Sequence, residues 1–106
     1  MNKNVLLEII KEVKVEILKI LKENFDEIIL FGSYARGDNT EYSDVDLLLV
    51  VEETISQAEK ERIANVLSNF SLKYDIVLSC IDYPKISFEK YKTPFLLNVK
   101  EDGVRI

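Results

Sequence analysis

The sequence predicts an α/β domain, of the α+β kind, in which a small mixed sheet of about three or four strands is flanked by helices. Three observations carry that expectation. Two short continuous apolar runs, Ile28–Phe31 and Val45–Val51, read as strands with no wet face. Two longer stretches, 4–23 and 55–70, repeat apolar residues at spacings of three and four, the signature of amphipathic helices. The two kinds alternate along 106 residues, the length of one domain, so a single domain over 1–106 is expected.

Residues 4–23 place Leu6, Ile10, Val13, Ile17 and Leu21 on one stripe, with Lys and Glu between them spaced for helical charge pairs, and Asn24 as a stop. Asp26-Glu27 leads into the first strand, which Gly32-Ser33 ends. Tyr34-Ala35-Arg36 reads as one helical turn closed by Gly37. Asp38 to Glu41 is loop chemistry, and VDLLLVV from Val45 is the second strand. The second long helix carries Ile55, Ala58, Ile63, Val66, Leu67 and Phe70 inward, with Ser56 or Thr54 as its cap. A third strand is expected over Tyr74–Ile81. Beyond Pro84, Thr93-Pro94 resembles a cap and first helical residue, with Gly103 as the helix end.

Composition narrows the chemistry. There is no His, which excludes His-dependent triads and His-based zinc sites, and the one Cys80 has no partner for an internal disulfide. Cys80 is expected to be a small buried hydrophobe. The N-terminus mixes charges with apolar residues and is no secretory signal, and no apolar run reaches the ~18 residues of a spanning helix, so a cytoplasmic protein without membrane contact is expected. The net charge of −5 is uneven: residues 25–84 hold 12 acids against Arg36, Lys60, Arg62 and Lys73. Such an acidic middle disfavours nucleic acid as a partner. Most of these acids read as a solvated surface, but Asp44 and Asp46 abut an apolar strand, where charge is costly.

The pair also has a geometry suited to catalysis. Residues two apart on a strand project from the same face, their β-carbons about 6–7 Å apart, so Asp44 and Asp46 can reach one hard cation. Oxygen ligands without His or Cys select Mg²⁺ or Mn²⁺, and a pair of Mg²⁺ ions is the usual clamp for nucleotidyl displacement. Gly32-Ser33 stands where a buried strand turns into a helical start, leaving free N–H groups and a Ser33 hydroxyl for phosphate. Asp75, expected at the start of the third strand, is the candidate third carboxylate for the metal and for the acceptor's proton. Asp82 competes for that role but is expected to follow the strand, past the site.

Gly32-Ser33, ten intervening residues and then Asp44-Val45-Asp46 resemble the signature of the DNA polymerase β-type nucleotidyltransferase superfamily. The fuller string GSYARGDNTEYSDVDLLLVV resembles the minimal nucleotidyltransferase family within it. The resemblance covers nearly the whole chain in element order and implies the polymerase β-like fold. It implies ATP as donor, two Mg²⁺ ions on Asp44, Asp46 and Asp75, and Gly32-Ser33 on the triphosphate. Arg36, in the family's Ala-Arg-Gly piece, either contacts phosphate or pairs with a nearby carboxylate. Ser43 is placed to touch the nucleotide. Tyr34 and Tyr42 flank the site and read first as packing residues, with stacking on adenine as the other reading.

Larger relatives append a helical domain that holds the acceptor, and 106 residues leave no room for one, so the acceptor surface is expected on another chain. The resemblance implies that this partner is a HEPN-domain toxin, that the chain is its antitoxin, and that AMP passes from ATP to a tyrosine hydroxyl of the toxin. Two other readings stay open: an antitoxin that neutralises by binding alone, and the catalytic half of a two-chain small-molecule nucleotidyltransferase. Ile86, Phe88, Tyr91, Phe95, Leu96 and Leu97 supply core packing for a last helix or, in part, a partner-binding patch.

Overall fold

In the computed structural model, which describes residues 1–106, helix α1 spans Lys3–Leu21. The Asn2 side chain caps it, accepting from the Val5 N–H at 2.9 Å. The predicted stripe is buried, together with Ile9. The helical charge pairs form as Glu8–Lys11 and Glu16–Lys19, both exposed, where such pairs add only a few tenths of a kcal/mol. A 3₁₀ turn, Lys22–Asn24, ends the segment. Asn24 then ties two loops together: its side chain accepts from the Glu53 N–H at 2.7 Å and donates to the Glu53 carbonyl at 2.9 Å.

Strand β1, Phe25–Phe31, starts earlier than its apolar run because pairing with β2, Val45–Val51, continues past a bulge at Asp26 to Phe25 opposite Val51. Helix α2 is the single turn Ser33–Arg36, closed by Gly37 in the left-handed region. Helix α3, Gln57–Tyr74, runs four residues beyond its predicted end, since the spacing of Ile63, Val66, Leu67 and Phe70 carries on to Tyr74. Ser56 and Glu59 form its capping box. Ser56→Ala should cost about 1 kcal/mol and lower the thermal midpoint by a few degrees; an unchanged midpoint would show that the cap contributes nothing.

The longer α3 displaces the third strand. Strand β3 is Leu78–Pro84 rather than Tyr74–Ile81, and Asp75 becomes the left-handed residue that ends α3 (φ 54°, ψ 49°). The region after Pro84 holds α4, Lys85–Lys90, which the sequence did not reveal, and α5, Pro94–Asp102, with the predicted Thr93 cap, Pro94 start and Gly103 end. The two-residue strand β4, Val104–Arg105, follows Gly103 and pairs with Leu30 and Ile29. A Cβ on Gly103 would overlap the Val99 carbonyl, so glycine permits this tight return.

The sheet order is β3-β2-β1-β4, with β2 and β3 parallel and the other pairs antiparallel. Helices cover both faces. Leu47, Leu49 and Val51 pack with α1 and α3 on one side, and Leu48, Val50 and Ile29 with Phe88, Leu96 and Val99 of α4 and α5 on the other. That double burial explains why β2 is apolar at almost every position. No helix is long and apolar enough to cross a membrane.

Candidate active site

The site forms where β1 ends and β2 begins. Antiparallel pairing sets Phe31 opposite Asp46, so Gly32 arrives directly against the Asp46 carboxylate. Gly32 has φ +78°, which an L side chain rarely adopts, and a Cβ there would overlap Asp46 Oδ2. Both constraints demand glycine. The Gly32 carbonyl accepts from the Ala35 and Arg36 N–H groups at 3.1 Å, while the N–H groups of Ser33 and Tyr34, at the start of the turn, have no acceptor within it. Lys3 Nζ donates to the Ala35 carbonyl at 3.1 Å and fastens the start of α1 to this turn. Nothing in the sequence pattern signals that role.

Asp46 is half-buried at the head of β2, and Asp44 is exposed two residues earlier. Burial pushes the Asp46 carboxyl above its ordinary range, the Asp44 charge raises it further, and the Arg36 guanidinium opposes both. Arg36 therefore lies within electrostatic reach of the pair, while its Nε donates to Asp38 Oδ2 at 3.2 Å. Arg36 thus pairs with Asp38, an exposed contact that a phosphate could replace. Ser43 holds the loop before the pair: its Oγ accepts from the Thr40 N–H at 2.9 Å, and its own N–H donates to the Thr40 carbonyl at 3.1 Å.

The two further candidate carboxylates are placed differently from expectation. Asp75 ends α3 and is exposed, lining with Ser43, Tyr34, Tyr42 and Tyr74 a cleft of about 530 Å³ at the same end of the sheet. Asp82 lies within β3, opposite Leu49, rather than after it. Strand alternation turns Asp82 to the α3 side, where it lines a groove with Lys60 and Cys80, away from the face that carries Asp46. No three acidic, His or Cys side chains come together as a metal-binding cluster. The residue opposite Asp46 on β3 is Ser79, small and exposed. Strand alternation could have flagged it only with the correct strand register.

Asp44 and Asp46 nonetheless fit a hard divalent cation. They are two oxygen donors close enough that the Asp44 charge raises the Asp46 carboxyl, and Gly32, lacking a side chain, lets the Asp46 carboxylate lie against the turn. The packing reading holds for Tyr34, which packs on the core, but Tyr42 is 87% exposed. Among the late apolar residues Phe88 and Leu96 are core, and Phe95 meets Phe31 edge-on at 5.3 Å. Ile86, Tyr91 and Leu97 remain exposed.

A strand that turns at Gly32-Ser33, abutted by an Asp-x-Asp strand on a mixed sheet, is the arrangement that the resemblance to nucleotidyltransferases implies. The nucleotidyltransferase domain family matches residues 14–105, and the chain belongs to it. The chain is 48% identical over 101 residues to a Methanocaldococcus jannaschii protein named as a protein adenylyltransferase, covering 95% of this chain and 98% of that one. A second protein of that name from the same organism is 37% identical over 73% of each chain. Among solved structures, a minimal nucleotidyltransferase superposes with TM-score 0.64 at 17% identity, covering all of this chain and 97% of that one. A toxin–antitoxin complex with AMP-PNP matches with TM-score 0.62 at 18% identity, over 90% of this chain and 70% of that chain. These likenesses establish the four-stranded nucleotidyltransferase fold.

Proposed function

We propose that the chain is a protein adenylyltransferase that moves AMP from ATP to a tyrosine hydroxyl of a partner HEPN-domain toxin, and so acts as an antitoxin. The observation that carries this reading is the apposition of Gly32-Ser33 with Asp44 and Asp46 at one end of β1 and β2. It is supported by the relatives named as protein adenylyltransferases, and by a structural neighbour from Shewanella oneidensis described as a tri-AMPylated HEPN toxin with its MNT antitoxin (TM-score 0.51, 18% identity, 90% of this chain and 69% of that one).

In this reading the open N–H groups of Ser33 and Tyr34, the Ser33 hydroxyl and the Arg36 guanidinium hold the triphosphate. Ser43, already fixing the loop through Thr40, keeps the nucleotide side of the site ordered. Asp44 and Asp46 hold Mg²⁺, which when bound offsets charge developing on the phosphates. The tyrosine oxygen bonds to the α-phosphorus, the α–β bridging bond breaks, pyrophosphate leaves, and the phenolic proton passes to water. Asp75 has a lesser part: Asp75→Asn should lower transfer by less than tenfold, whereas a thousandfold loss would make it a third metal ligand or the base. Incubation of the chain with α-labelled ATP, Mg²⁺ and a HEPN toxin encoded beside it tests the reading. Label should appear on a toxin tyrosine, and a toxin left unlabelled by the intact chain would overturn it.

One observation favours a second reading. No third acidic side chain groups with Asp44 and Asp46 as a metal cluster, as an antitoxin that neutralises by binding alone would tolerate. In that case Asp44→Asn with Asp46→Asn leaves neutralisation intact. Label on a small hydroxylated metabolite instead of on protein would favour the two-chain small-molecule enzyme.

A further inference from the structure

Strand β3 is an edge of the sheet, next to the strand that carries the carboxylate pair. One hydrogen bond shows how its backbone is turned. The Val45 N–H donates to the Val77 carbonyl at 2.8 Å. In a parallel ladder the alternate residues Ser79, Ile81 and Tyr83 therefore turn their backbone groups to β2, and Leu78, Cys80 and Asp82 turn theirs outward. Ser71 Oγ accepts the outward N–H of Leu78 at 3.1 Å. The outward groups of Cys80 and Asp82 face the open edge. Edge strands are commonly guarded by charge, proline or a bulge; β3 (LSCIDYP) has no lysine and no bulge, and its one charge before Pro84 is Asp82, which a basic partner strand would meet favourably.

The two faces beside this edge differ. On the α3 side run two adjoining grooves, of about 220 and 530 Å³, that share Ala64 and Leu67. Cys80 and Asp82 line the first, and Val77 and Leu72, which is 83% exposed, line the second. On the opposite face Ser79 stands directly across from Asp46. Side chains of a strand added to β3 would alternate between these faces.

We infer that the open edge of β3 receives the acceptor as an added strand, an extended basic segment of the partner protein. Its backbone pairs with Cys80 and Asp82, its alternate apolar side chains enter the α3 grooves, and its tyrosine lies across Ser79 toward Asp44 and Asp46. This rests on the adenylyltransferase reading and specifies how that acceptor is presented. The position opposite Ser79 on the added strand is two strand spacings from Asp46, roughly 9–10 Å. A tyrosine hydroxyl crosses most of that span over the small Ser79, while a serine or threonine hydroxyl stays above its own strand. Backbone pairing supplies affinity and the alternate pockets supply selectivity, as in other strand-addition complexes. Charge agrees: the edge has Asp46 across from Ser79 on one face and Asp82, beside Lys60, on the other, within a segment, 25–84, of 12 acids and four bases.

Three probes test the inference: the peptide acetyl-Lys-Thr-Val-Tyr-Val-Thr-Lys-amide, whose valines alternate with the tyrosine and so face the α3 grooves, its counterpart with Ser for Tyr, and N-acetyl-tyrosinamide. Each is incubated with the chain, α-labelled ATP and Mg²⁺, and amide exchange is followed in β3. The tyrosine peptide should be labelled at least tenfold faster than the amide, the serine peptide should stay unlabelled, and the Cys80 and Asp82 amides should gain protection. Cys80→Pro removes an outward donor. Leu72→Glu alters a groove side chain too exposed to affect folding. Each should reduce the peptide to the amide's rate and leave the amide's rate unchanged. Equal labelling of peptide and amide, an advantage that survives both variants, or protection away from β3 would overturn the inference. So would a dimer that Cys80→Pro disperses, since a second copy would then hold the edge. If neither phenol is labelled while the toxin is, the inference fails and the adenylyltransferase reading stands; if the toxin too stays unlabelled, both fail.

Discussion

Asp46→Asn should lower nucleotidyl transfer at least about a thousandfold, equivalent to about 4 kcal/mol of lost transition-state stabilisation, while leaving the fold intact. The loss follows from the site's make-up: Asp44 and Asp46 lie within electrostatic reach of each other and no third acidic side chain clusters with them, so removing one charge halves the anionic donor set. The same variant should be at least as stable as the parent. In the folded chain the Asp46 carboxyl is held above its ordinary range by burial and by Asp44, so the folded state binds that proton more tightly than the unfolded state does. Ionising it therefore costs stability at neutral pH. The cost is absent below the ordinary carboxylate range and is complete above the raised value. Melting in the presence of a chelator should place Asp46→Asn at or above the parent at pH 7, with the difference closing as pH falls. A variant that melts well below the parent at pH 7 would mean that Asp46 serves the fold rather than the reaction.

Gly32→Ala should damage both stability and transfer. The backbone of Gly32 (φ 78°, ψ −156°) lies in a region that is essentially glycine-only, and the new methyl overlaps Asp46 Oδ2, so either the turn or the carboxylate must move. A total loss of about 1–3 kcal/mol is expected, with transfer down about a hundredfold because a displacement near 1 Å misaligns the reacting groups. Denaturant unfolding beside a transfer assay checks both. Parent-like activity in Gly32→Ala would show that the close approach of β1 to Asp46 is not needed for catalysis.

What the sequence reveals follows from how locally each feature is encoded. VDLLLVV reads as a strand without ambiguity because both of its faces are buried, and β2 spans those residues. Asp44 and Asp46 are legible for the reverse reason, as charges at the head of a strand that otherwise excludes them. Gly32 is legible as a turn residue, but its contact with Asp46 is fixed by the pairing of β1 with β2, which the pattern does not show. The third strand is the instructive miss. Tyr74 to Val77 is apolar enough to read as strand, yet the stripe of α3 continues to Tyr74 and Asp75 ends it in a left-handed conformation. That shift of register places Asp82 in β3 on the face away from Asp46, and brings Ser79 opposite it. α4 and β4 were illegible because six and two residues carry too little periodicity, and their positions depend on contacts with β3 and β1. Cys80, expected as a small buried hydrophobe, is only partly buried and lines the α3 groove, and burial, with Asp82 adding, pushes its thiol up to about 12.

The function proposed for this chain is transfer of AMP to a tyrosine of a partner protein through Asp44 and Asp46. The most direct measurement is mass spectrometry of a HEPN toxin after incubation with the chain, ATP and Mg²⁺, run in parallel with the Asp44→Asn, Asp46→Asn double variant. The expected result is AMP on a toxin tyrosine with the parent chain, none with the double variant, and loss of toxin activity only in the first case. A toxin that is unmodified yet neutralised equally by both chains would contradict the claim.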